Sequence, residues 1–327
     1  MGMRHMASVL EARTVDFEEF VPVDLRDFAE SSTALLDLYQ CVEGRFVLYR
    51  QAGTPFTWDA RQRLIENGVT TLYLLVTDSG KGSGKLTLPE VLALPETQLG
   101  ASAKSHLLYG SIMSTIRRVL AAPESPEGLL AAREVVGTMV AELISNPTAF
   151  DCMVRIMRHD FSVYTHSVNV CVYAAALGDA FGLEREGLFE LCLGAMLHDV
   201  GKTKIPQEIL DKPGPLTEEE WTIVRRHPEW GLQLLAPAAR GNSAVAAVVL
   251  QHHERLDGSG YPRGLQRLEV QLPARIVAVA DVYEALTGQR PYRKTSTPTQ
   301  AVKIIAEGLG RQFDTDVFMA LEEILHL

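Results

Sequence analysis

The chain has 327 residues, of which 46% are hydrophobic and 22% charged, and its formal net charge is −10. This length favours two domains, or one large one, over a single small core. The acidic balance argues against a general binder of nucleic acid or of anionic membranes, because those partners require a broad basic surface. A small anionic ligand needs only a local basic cluster.

The cysteines and the apolar runs bear on the compartment. Cys152, Cys171 and Cys192 fall in helical patterns, Cys41 falls in a short apolar stretch, and none forms a Cys-x-x-Cys pair. We therefore expect reduced thiols and a cytoplasmic location. We expect no membrane span and no signal peptide, because the sequence has no apolar run of about 18 residues and no apolar signal core.

Residues 1–97 are predicted to form a small α/β accessory or regulatory domain. Residues 44–50 (GRFVLYR) and 70–76 (TTLYLLV) are rich in β-branched and aromatic residues, which indicates strands. Residues 57–68 (TWDARQRLIENG) indicate a helix that ends at a glycine. The glycine-rich run SGKGSGK lacks the spacing of a phosphate-binding loop, so it does not predict a phosphate site.

Residues 98–150 are predicted to form a helical connector. Apolar residues recur at spacings of three and four in 106–122 and 128–145, and the turn PESPEG separates the two helices. Such a pair could join the two domains, or it could form a coiled coil in a homodimer.

Residues 151–327 are predicted to form an all-helical domain, because nearly every segment has the helical period. Thr217 with Glu220 and Thr297 with Gln300 form capping boxes, which mark the start of two helices. The predicted fold class is therefore mainly α, with a C-terminal helical bundle after a small N-terminal α/β module. Helices are predicted over 163–182, 186–199, 217–227, 242–256, 273–288, 297–310 and 315–325.

Five histidines and two aspartates in this helical half are candidate metal ligands. The aspartates lie at the end of, or within, apolar helical runs, where a buried carboxylate is costly unless it is paired or binds a metal. Any one of the histidines taken alone is more often a core or capping residue, but one metal cluster explains the whole set. The candidates are His166, His198, Asp199, His227, His252, His253 and Asp281.

The ligand types indicate first-row transition ions. Imidazoles and carboxylates are present and cysteine ligands are absent, which argues against a closed structural zinc site. One carboxylate flanked by several histidines can bridge two metals. Two metals about 3.5 to 4 Å apart would polarise a phosphoryl group and generate hydroxide at neutral pH. We expect two divalent ions, and iron, manganese, nickel and zinc all suit these ligands.

Cationic and aromatic residues near these ligands are candidates for substrate binding. One lysine follows the first His-Asp pair by three residues, and a tyrosine lies in the glycine-rich loop after the paired histidines. Three cations follow the helix of the second aspartate; taken alone they would be a solvated turn, but phosphates need cationic partners. The predicted substrate-binding residues are Lys202, Tyr261, Arg290, Arg293 and Lys294.

Several motifs in this half resemble the HD-GYP family of HD-superfamily phosphohydrolases: HDVGK, RRHPEWG, HHERLDGSGYPRGL, ARIVAVADVYEALT, RPYRK and QFD. The resemblance covers roughly residues 151–320, with the motifs in order and similarly spaced. It implies an all-helical metal-dependent domain that hydrolyses cyclic di-GMP, via linear pGpG and onward to GMP, in bacterial second-messenger signalling.

The resemblance also implies a role for individual residues. Asp199 would bridge the two metals, and Lys202 would contact a phosphate or the bridging water, so these two are the predicted catalytic residues. Arg290 and Arg293 would hold the phosphates of the ligand. Some family members carry a glutamate four residues before the first histidine, as a ligand for a third metal; Ser162 stands there in this chain. We therefore expect two metals, and pGpG as a major product.

Two other functions stay open. The chain could be a weakly active or inactive interaction module that responds to cyclic di-GMP, because intact ligands do not prove turnover. It could also hydrolyse another cyclic dinucleotide, such as 3′3′-cyclic GMP-AMP. The expected partners are cyclic di-GMP, a second copy of the chain, and signalling proteins that bind the GYP loop or the N-terminal domain. No nucleic acid polymer is expected.

Overall fold

A computed structural model of the chain describes residues 18–28, 31–34, 37–77, 87–96, 99–146, 148–157, 164–235, 244–288 and 295–326. The chain divides into two compact units, Met1–Leu107 and Leu108–Leu327. The three-part division expected from the sequence, with boundaries near 97 and 150, stays a prediction.

The first unit contains antiparallel β-structure. Its strands are β1 (Glu18–Asp24), β2 (Ser31–Thr33), β3 (Leu38–Val42), β4 (Arg45–Arg50), β5 (Pro55–Thr57) and β6 (Thr71–Thr77). Four of them form a sheet in the order β1-β6-β3-β4, and β2 pairs separately with β5. The strands predicted over 44–50 and 70–76 are confirmed as β4 and β6, although β3 lies between them in the sheet.

The helix predicted over 57–68 is also confirmed, as α1 (Trp58–Glu66). Thr57 caps its N-terminus by accepting a hydrogen bond from the backbone N–H of Ala60. Alternation along β6 places Leu72 and Leu74 in the buried core of this unit. The short helix α2 (Leu88–Leu92) follows.

The second unit is helical. The two predicted connector helices are confirmed as α3 (Ala101–Ala121), which begins before the boundary between the units, and α4 (Pro126–Ser145). Helix α5 (Ala149–Met157) follows them. The later helices are α6 (Thr165–Ala180), α7 (Arg185–Leu197), α8 (Gln207–Leu210), α9 (Glu218–Val224), α10 (His227–Leu235), α11 (Ala244–Gln251), α12 (Leu272–Thr287), α13 (Pro298–Ala306) and α14 (Thr315–Ile324). A 3-10 helix, Val200–Lys204, follows α7. The mainly α fold class is therefore confirmed.

Helices α6, α7 and α12 form the centre of this unit. Each carries apolar residues around most of its circumference, and most residues of each are buried. Helix α6 packs against α7 and α12, α11 packs against α7, and α10 packs against the 3-10 helix. These contacts bring the ends of α7 and α11 close to the middle of α12.

Two local predictions can be compared with the structure. Both capping boxes are confirmed: Thr217 with Glu220 starts α9, and Thr297 with Gln300 starts α13. The helix predicted over 242–256 is wrong at its C-terminal end, because α11 stops at Gln251. There the backbone N–H of Glu254 donates to the carbonyl of Gln251 in a tight turn, at 2.8 Å.

The cysteines and the length and hydropathy of the helices complete the description of the fold. Each of the four cysteines is free, and three of them are buried. Among the described residues, no helix combines the length and the apolar character needed to cross a membrane.

Candidate metal centre

The predicted metal ligands come together at the ends and middles of the central helices. The last turn of α7, the start of α10 and the end of α11 meet the first turn of α6 and the middle of α12. The residues they supply are His166 from α6, His198 and Asp199 after α7, His227 from α10, His252 and His253 after α11, and Asp281 from α12.

Three fully buried histidines, His198, His227 and His252, are oriented by backbone carbonyls that precede them in the chain. In each ring Nδ1 faces a carbonyl three or four residues earlier. A carbonyl can only accept a hydrogen bond, so Nδ1 carries the proton and Nε2 presents a lone pair to the cluster. The acceptors are the carbonyls of Ala195 at 2.7 Å, Val224 at 2.8 Å, and Val248 and Val249 at 3.1 Å each.

These lone pairs converge on one carboxylate. The Nε2 atoms of His227 and His252 lie 3.2 Å apart, and they are 3.3 and 3.8 Å from Asp199 Oδ1. With both Nδ1 atoms donating elsewhere, the two Nε2 atoms cannot bond to each other. His198 Nε2 and Asp199 Oδ1 are buried and have no hydrogen-bond partner among the described residues. Because unsatisfied buried polar atoms are costly, this donor set fits a metal cation between them.

The ligand atoms form two groups that share Asp199. In each group the atoms lie within 4.8 Å of one another. Asp281 lies between the groups, with Oδ1 3.2 Å from His166 Nε2 and Oδ2 4.0 Å from His253 Nδ1. A shared carboxylate flanked by two sets of imidazoles matches a binuclear metal site. The groups are Asp199, His227, His252 and His253, and His166, His198 and Asp199.

The protonation states suit metal binding at neutral pH. Burial alone would raise the pKa of Asp199, but the positive charge of the neighbouring Lys202 holds it well below its usual range. Burial lowers the pKa of His227 to about 4 and that of His253 to about 3. Metal ligands must be ionised carboxylates and neutral imidazoles, which is the state these groups hold.

The pKa of His166 is shifted in the opposite direction from the pKa values of His227 and His253. Burial alone would lower its pKa, but hydrogen bonds to Asp281 and Glu284 raise it to about 10. Its Nδ1 bonds to Glu284 Oε2, and its Nε2 faces Asp281. A bound cation would take the place of the proton on Nε2.

Lys202 and Tyr261 border the cluster. Lys202 Nζ is 2.6 Å from Asp199 Oδ2, and its side chain is 38% exposed, so its charge is open to a ligand. The Tyr261 ring lies 4.7 Å from the His253 ring between centroids. Burial raises the pKa of the Tyr261 hydroxyl, so it stays protonated.

A close backbone contact holds the glycine-rich loop that follows His253, and so holds Tyr261 beside the ligands. A Cβ at Gly260 would lie 2.3 Å from the backbone nitrogen of Arg255 and 2.5 Å from the carbonyl oxygen of His253, so only glycine fits. The N–H of Tyr261 donates to the same carbonyl of His253 at 3.2 Å.

Sequence reasoning missed two buried carboxylates, Glu254 and Glu284. Glu254 accepts backbone N–H bonds from Arg263 at 2.8 Å and Leu265 at 2.9 Å, and thereby anchors the glycine-rich loop. Glu284 holds the ring of a candidate ligand, as described above. Its position three residues after Asp281, on the same face of an apolar helix, is a signal that could have found it.

Four predicted residues lie outside the described part of the chain. The cations expected to bind phosphate and the position of the third-metal glutamate belong to this set, so their roles stay predictions. They are Arg290, Arg293, Lys294 and Ser162.

Comparison with known families decides the classification. The HD domain family matches residues 149–317, which is about half of the chain and contains every candidate ligand. The chain belongs to the HD domain family. Its relatives over the HD domain are phosphodiesterases of cyclic dinucleotides, and the chain is related to HD-GYP cyclic di-GMP phosphodiesterases.

Two curated relatives illustrate the range of substrates among these phosphodiesterases. A cyclic di-GMP phosphodiesterase of Pseudomonas aeruginosa is 41% identical over 189 residues, which cover 58% of this chain and 45% of the relative. A 3′3′-cGAMP-specific phosphodiesterase of Vibrio cholerae is 38% identical over 168 residues, which cover 51% of this chain and 36% of the relative. The chain thus spans less than half the length of either relative.

One solved structure resembles nearly the whole chain in fold. An HDG"Y"P protein from Bdellovibrio bacteriovorus aligns with 94% of this chain and all of its own, with a TM-score of 0.63 and 20% identity. At that identity the likeness concerns the fold alone.

Proposed function

We propose that the chain is a metal-dependent phosphodiesterase that hydrolyses cyclic di-GMP. One observation carries the proposal: two groups of buried ligands share Asp199, and buried atoms of Asp199 and His198 have no hydrogen-bond partner among the described residues. The relatives over the HD domain hydrolyse cyclic dinucleotides, which supports the same class of substrate for this chain.

The proposed cofactor is a pair of divalent ions, iron or manganese in preference to nickel or zinc. Imidazole and carboxylate ligands without thiolates suit such ions. Bound ions would polarise a phosphoryl oxygen and lower the pKa of a bound water. Because Ser162 stands where a third-metal glutamate would be, we propose two ions per chain and pGpG as a major product. Three ions per chain would contradict this part of the proposal.

Lys202 and Asp199 are the proposed catalytic residues. Asp199 would help to hold both ions, because it belongs to both groups of ligands, and Lys202 would keep its carboxylate ionised. The exposed part of Lys202 is positioned to donate to a phosphate oxygen as negative charge develops there. No side chain needs to attack the substrate.

Substrate binding is proposed for the rim of the site. Tyr261 presents a ring beside His253 on which a guanine base could stack. Arg290, Arg293 and Lys294 follow the helix that carries Asp281, and we propose that they hold the phosphate that does not react.

A second substrate is favoured by a specific observation. Relatives of two specificities, for cyclic di-GMP and for 3′3′-cGAMP, match this chain at similar identities, 41% and 38%. The candidate ligands do not distinguish the two substrates, because both contain the same phosphodiester linkage. Discrimination would have to come from the base-binding rim.

The remaining proposals concern the rest of the molecule. We propose that residues 1–97 form an accessory or regulatory domain, that the chain acts in the cytoplasm and forms a homodimer, and that signalling partners contact the GYP loop or the N-terminal domain. The exposed side chains of Phe46, Val47 and Leu48 on β4, at one edge of the sheet, support a protein-binding role for the N-terminal domain.

The test of function is a substrate panel on protein of known metal content. Chelated protein is reloaded with Mn²⁺, or with Fe²⁺ under anaerobic reducing conditions, and incubated with cyclic di-GMP and with 3′3′-cGAMP, and products are separated by chromatography. We expect metal-dependent conversion of cyclic di-GMP to pGpG, at a higher rate than conversion of 3′3′-cGAMP. Faster hydrolysis of 3′3′-cGAMP would overturn the proposed substrate, and no hydrolysis of either by fully loaded protein would overturn the proposed activity.

A further inference from the structure

A chain of buried hydrogen bonds links helix α3 to the candidate ligand His166. The hydroxyl of Tyr109 on α3 donates to Oδ1 of Asn169 on α6 at 2.9 Å. Nδ2 of Asn169 donates to Oε1 of Glu284 on α12 at 3.2 Å, and Oε2 of Glu284 accepts from His166 Nδ1. Tyr109, Asn169 and Glu284 are each less than 7% exposed. We call these three residues the relay.

The chemistry of the groups fixes the direction of every bond in the relay. An ionised carboxylate only accepts hydrogen bonds, so Asn169 must turn its amide nitrogen toward Glu284. The amide oxygen then faces α3, where Tyr109 must donate. The Tyr109 hydroxyl therefore stabilises the one amide orientation that supports the carboxylate.

A side chain from another helix holds the ring of His166. The rings of His198, His227 and His252 are held by carbonyls three or four residues earlier in the chain. For His166, the partner of Nδ1 is Oε2 of Glu284. Its ring is held instead by a carboxylate from α12.

We propose that Tyr109 is a positioning residue for the metal ligand His166, acting through the two other members of the relay. The proposal rests on the proposed metal-dependent function. Tyr109 lies outside residues 149–317, which match the HD domain, so the helix before the domain contributes to the metal centre. The affinity of the ligand group that contains His166 would then depend on α3, whereas the group that contains His227 would not.

The test is a metal titration of the full chain. The Tyr109→Phe variant removes one hydroxyl and keeps the ring. The matched control is Thr115→Val, which removes a buried hydroxyl of the same helix whose hydrogen bond, to the carbonyl of Ser111 at 2.8 Å, stays within α3. Chelated proteins are titrated with Mn²⁺ by calorimetry, and bound metal is counted after gel filtration.

We expect Tyr109→Phe to weaken one of the two Mn²⁺ sites about 10-fold, the low end of what loss of a partner of a ligating histidine costs, and to leave the other site unchanged. Thr115→Val should bind both ions like the wild-type chain. Asn169→Leu should weaken the same site, and the double variant with Tyr109→Phe should be no weaker than Asn169→Leu alone, because the relay acts in series. A general packing defect would instead affect both sites and add in the double variant.

The outcomes separate this inference from the proposed function. Unchanged Mn²⁺ affinities in Tyr109→Phe, or the same loss in Tyr109→Phe and Thr115→Val, would overturn the positioning role and leave the phosphodiesterase proposal intact. If Tyr109→Phe does not fold, Asn169→Leu decides by the same criterion. Wild-type protein that binds fewer than two ions would overturn both. The titration uses no cyclic dinucleotide, so its result does not depend on the substrate.

Discussion

The substitution Gly201→Ala tests whether the metal centre depends on a close backbone contact. Gly201 lies in the 3-10 helix after the His198–Asp199 pair. A Cβ there would lie 1.9 Å from the carbonyl oxygen of His227 and 2.5 Å from the backbone nitrogen of Gly231. Real Cβ atoms essentially never come closer than 3.0 Å to another atom, and both obstacles are backbone atoms of α10. To move from 1.9 to 3.0 Å, α10 must shift by about 1 Å, and His227 shifts with it.

Two effects follow from a shift of this size. Overpacking of a buried contact costs about 1 to 3 kcal/mol or more in the free energy of unfolding, which urea denaturation measures. Metal–ligand distances tolerate deviations of about 0.2 Å, so the group that contains His227 should lose its ion, which metal analysis counts. We therefore expect Gly201→Ala to be destabilised and to retain at most one ion per chain.

A glycine elsewhere in the same unit provides the control. Gly137 lies inside α4, and a Cβ there would meet only Phe189 at 3.8 Å, an ordinary contact. Alanine is favoured over glycine in a helix interior by about 1 kcal/mol, so Gly137→Ala should be stabilised slightly and should bind both ions. Wild-type stability and two bound ions in Gly201→Ala would refute the close contact and the reasoning built on it.

Four further outcomes are expected. Asp199→Ala should bind neither ion firmly and should have no detectable activity, because it removes the carboxylate shared by both groups; metal content and a turnover assay check this. Glu254→Gln leaves one of two part-buried loop N–H groups without its carboxylate acceptor, so the free energy of unfolding should fall by about 1 kcal/mol and KM should rise, with metal content unchanged. Arg290→Ala should raise KM by at least about 10-fold while metal content stays at two per chain, and loss of metal instead would mean that the residue is misplaced. At free metal about 100-fold above Kd, chelation should lower the free energy of unfolding by about 2.7 kcal/mol per site, and an unchanged Tm on chelation would argue against a site in the folded protein.

The metal cluster could be predicted from the sequence because its members depart from local expectations. Asp281 places a carboxylate in an apolar helical run, and the His198–Asp199 pair ends another. A carboxylate buried in an apolar helix costs free energy unless it is paired or binds a metal. A cation shared by the two aspartates accounts for both patterns. The helical period alone was sufficient to predict the bundle that holds them.

The supporting residues could not be predicted, because their roles arise between helices that are distant in sequence. Tyr109 and Asn169 are 60 residues apart, and Asn169 and Glu284 are 115 apart. In the sequence, nothing distinguishes Tyr109 from the other residues on the apolar face of its helix. Glu284 is an ordinary helical acid until α6 packs against α12.

The C-terminal end of α11 differs from the prediction for a related reason. The helical pattern continues past Gln251, but Glu254 uses its side chain to hold the following loop and its backbone N–H to close a turn. Tertiary hydrogen bonds of this kind override the periodic signal at helix ends. The same turn places His252 and His253 beside the other ligands.

We propose that a two-ion centre built around Asp199 hydrolyses cyclic di-GMP. The most direct measurement titrates chelated protein with Mn²⁺ and records bound metal and the rate of cyclic di-GMP hydrolysis on the same samples. We predict no activity without metal, a rate that rises to its maximum as the second ion binds, and pGpG as the accumulating product. A chain that holds two ions and leaves cyclic di-GMP intact, or one that reaches full activity with a single ion, would contradict the account.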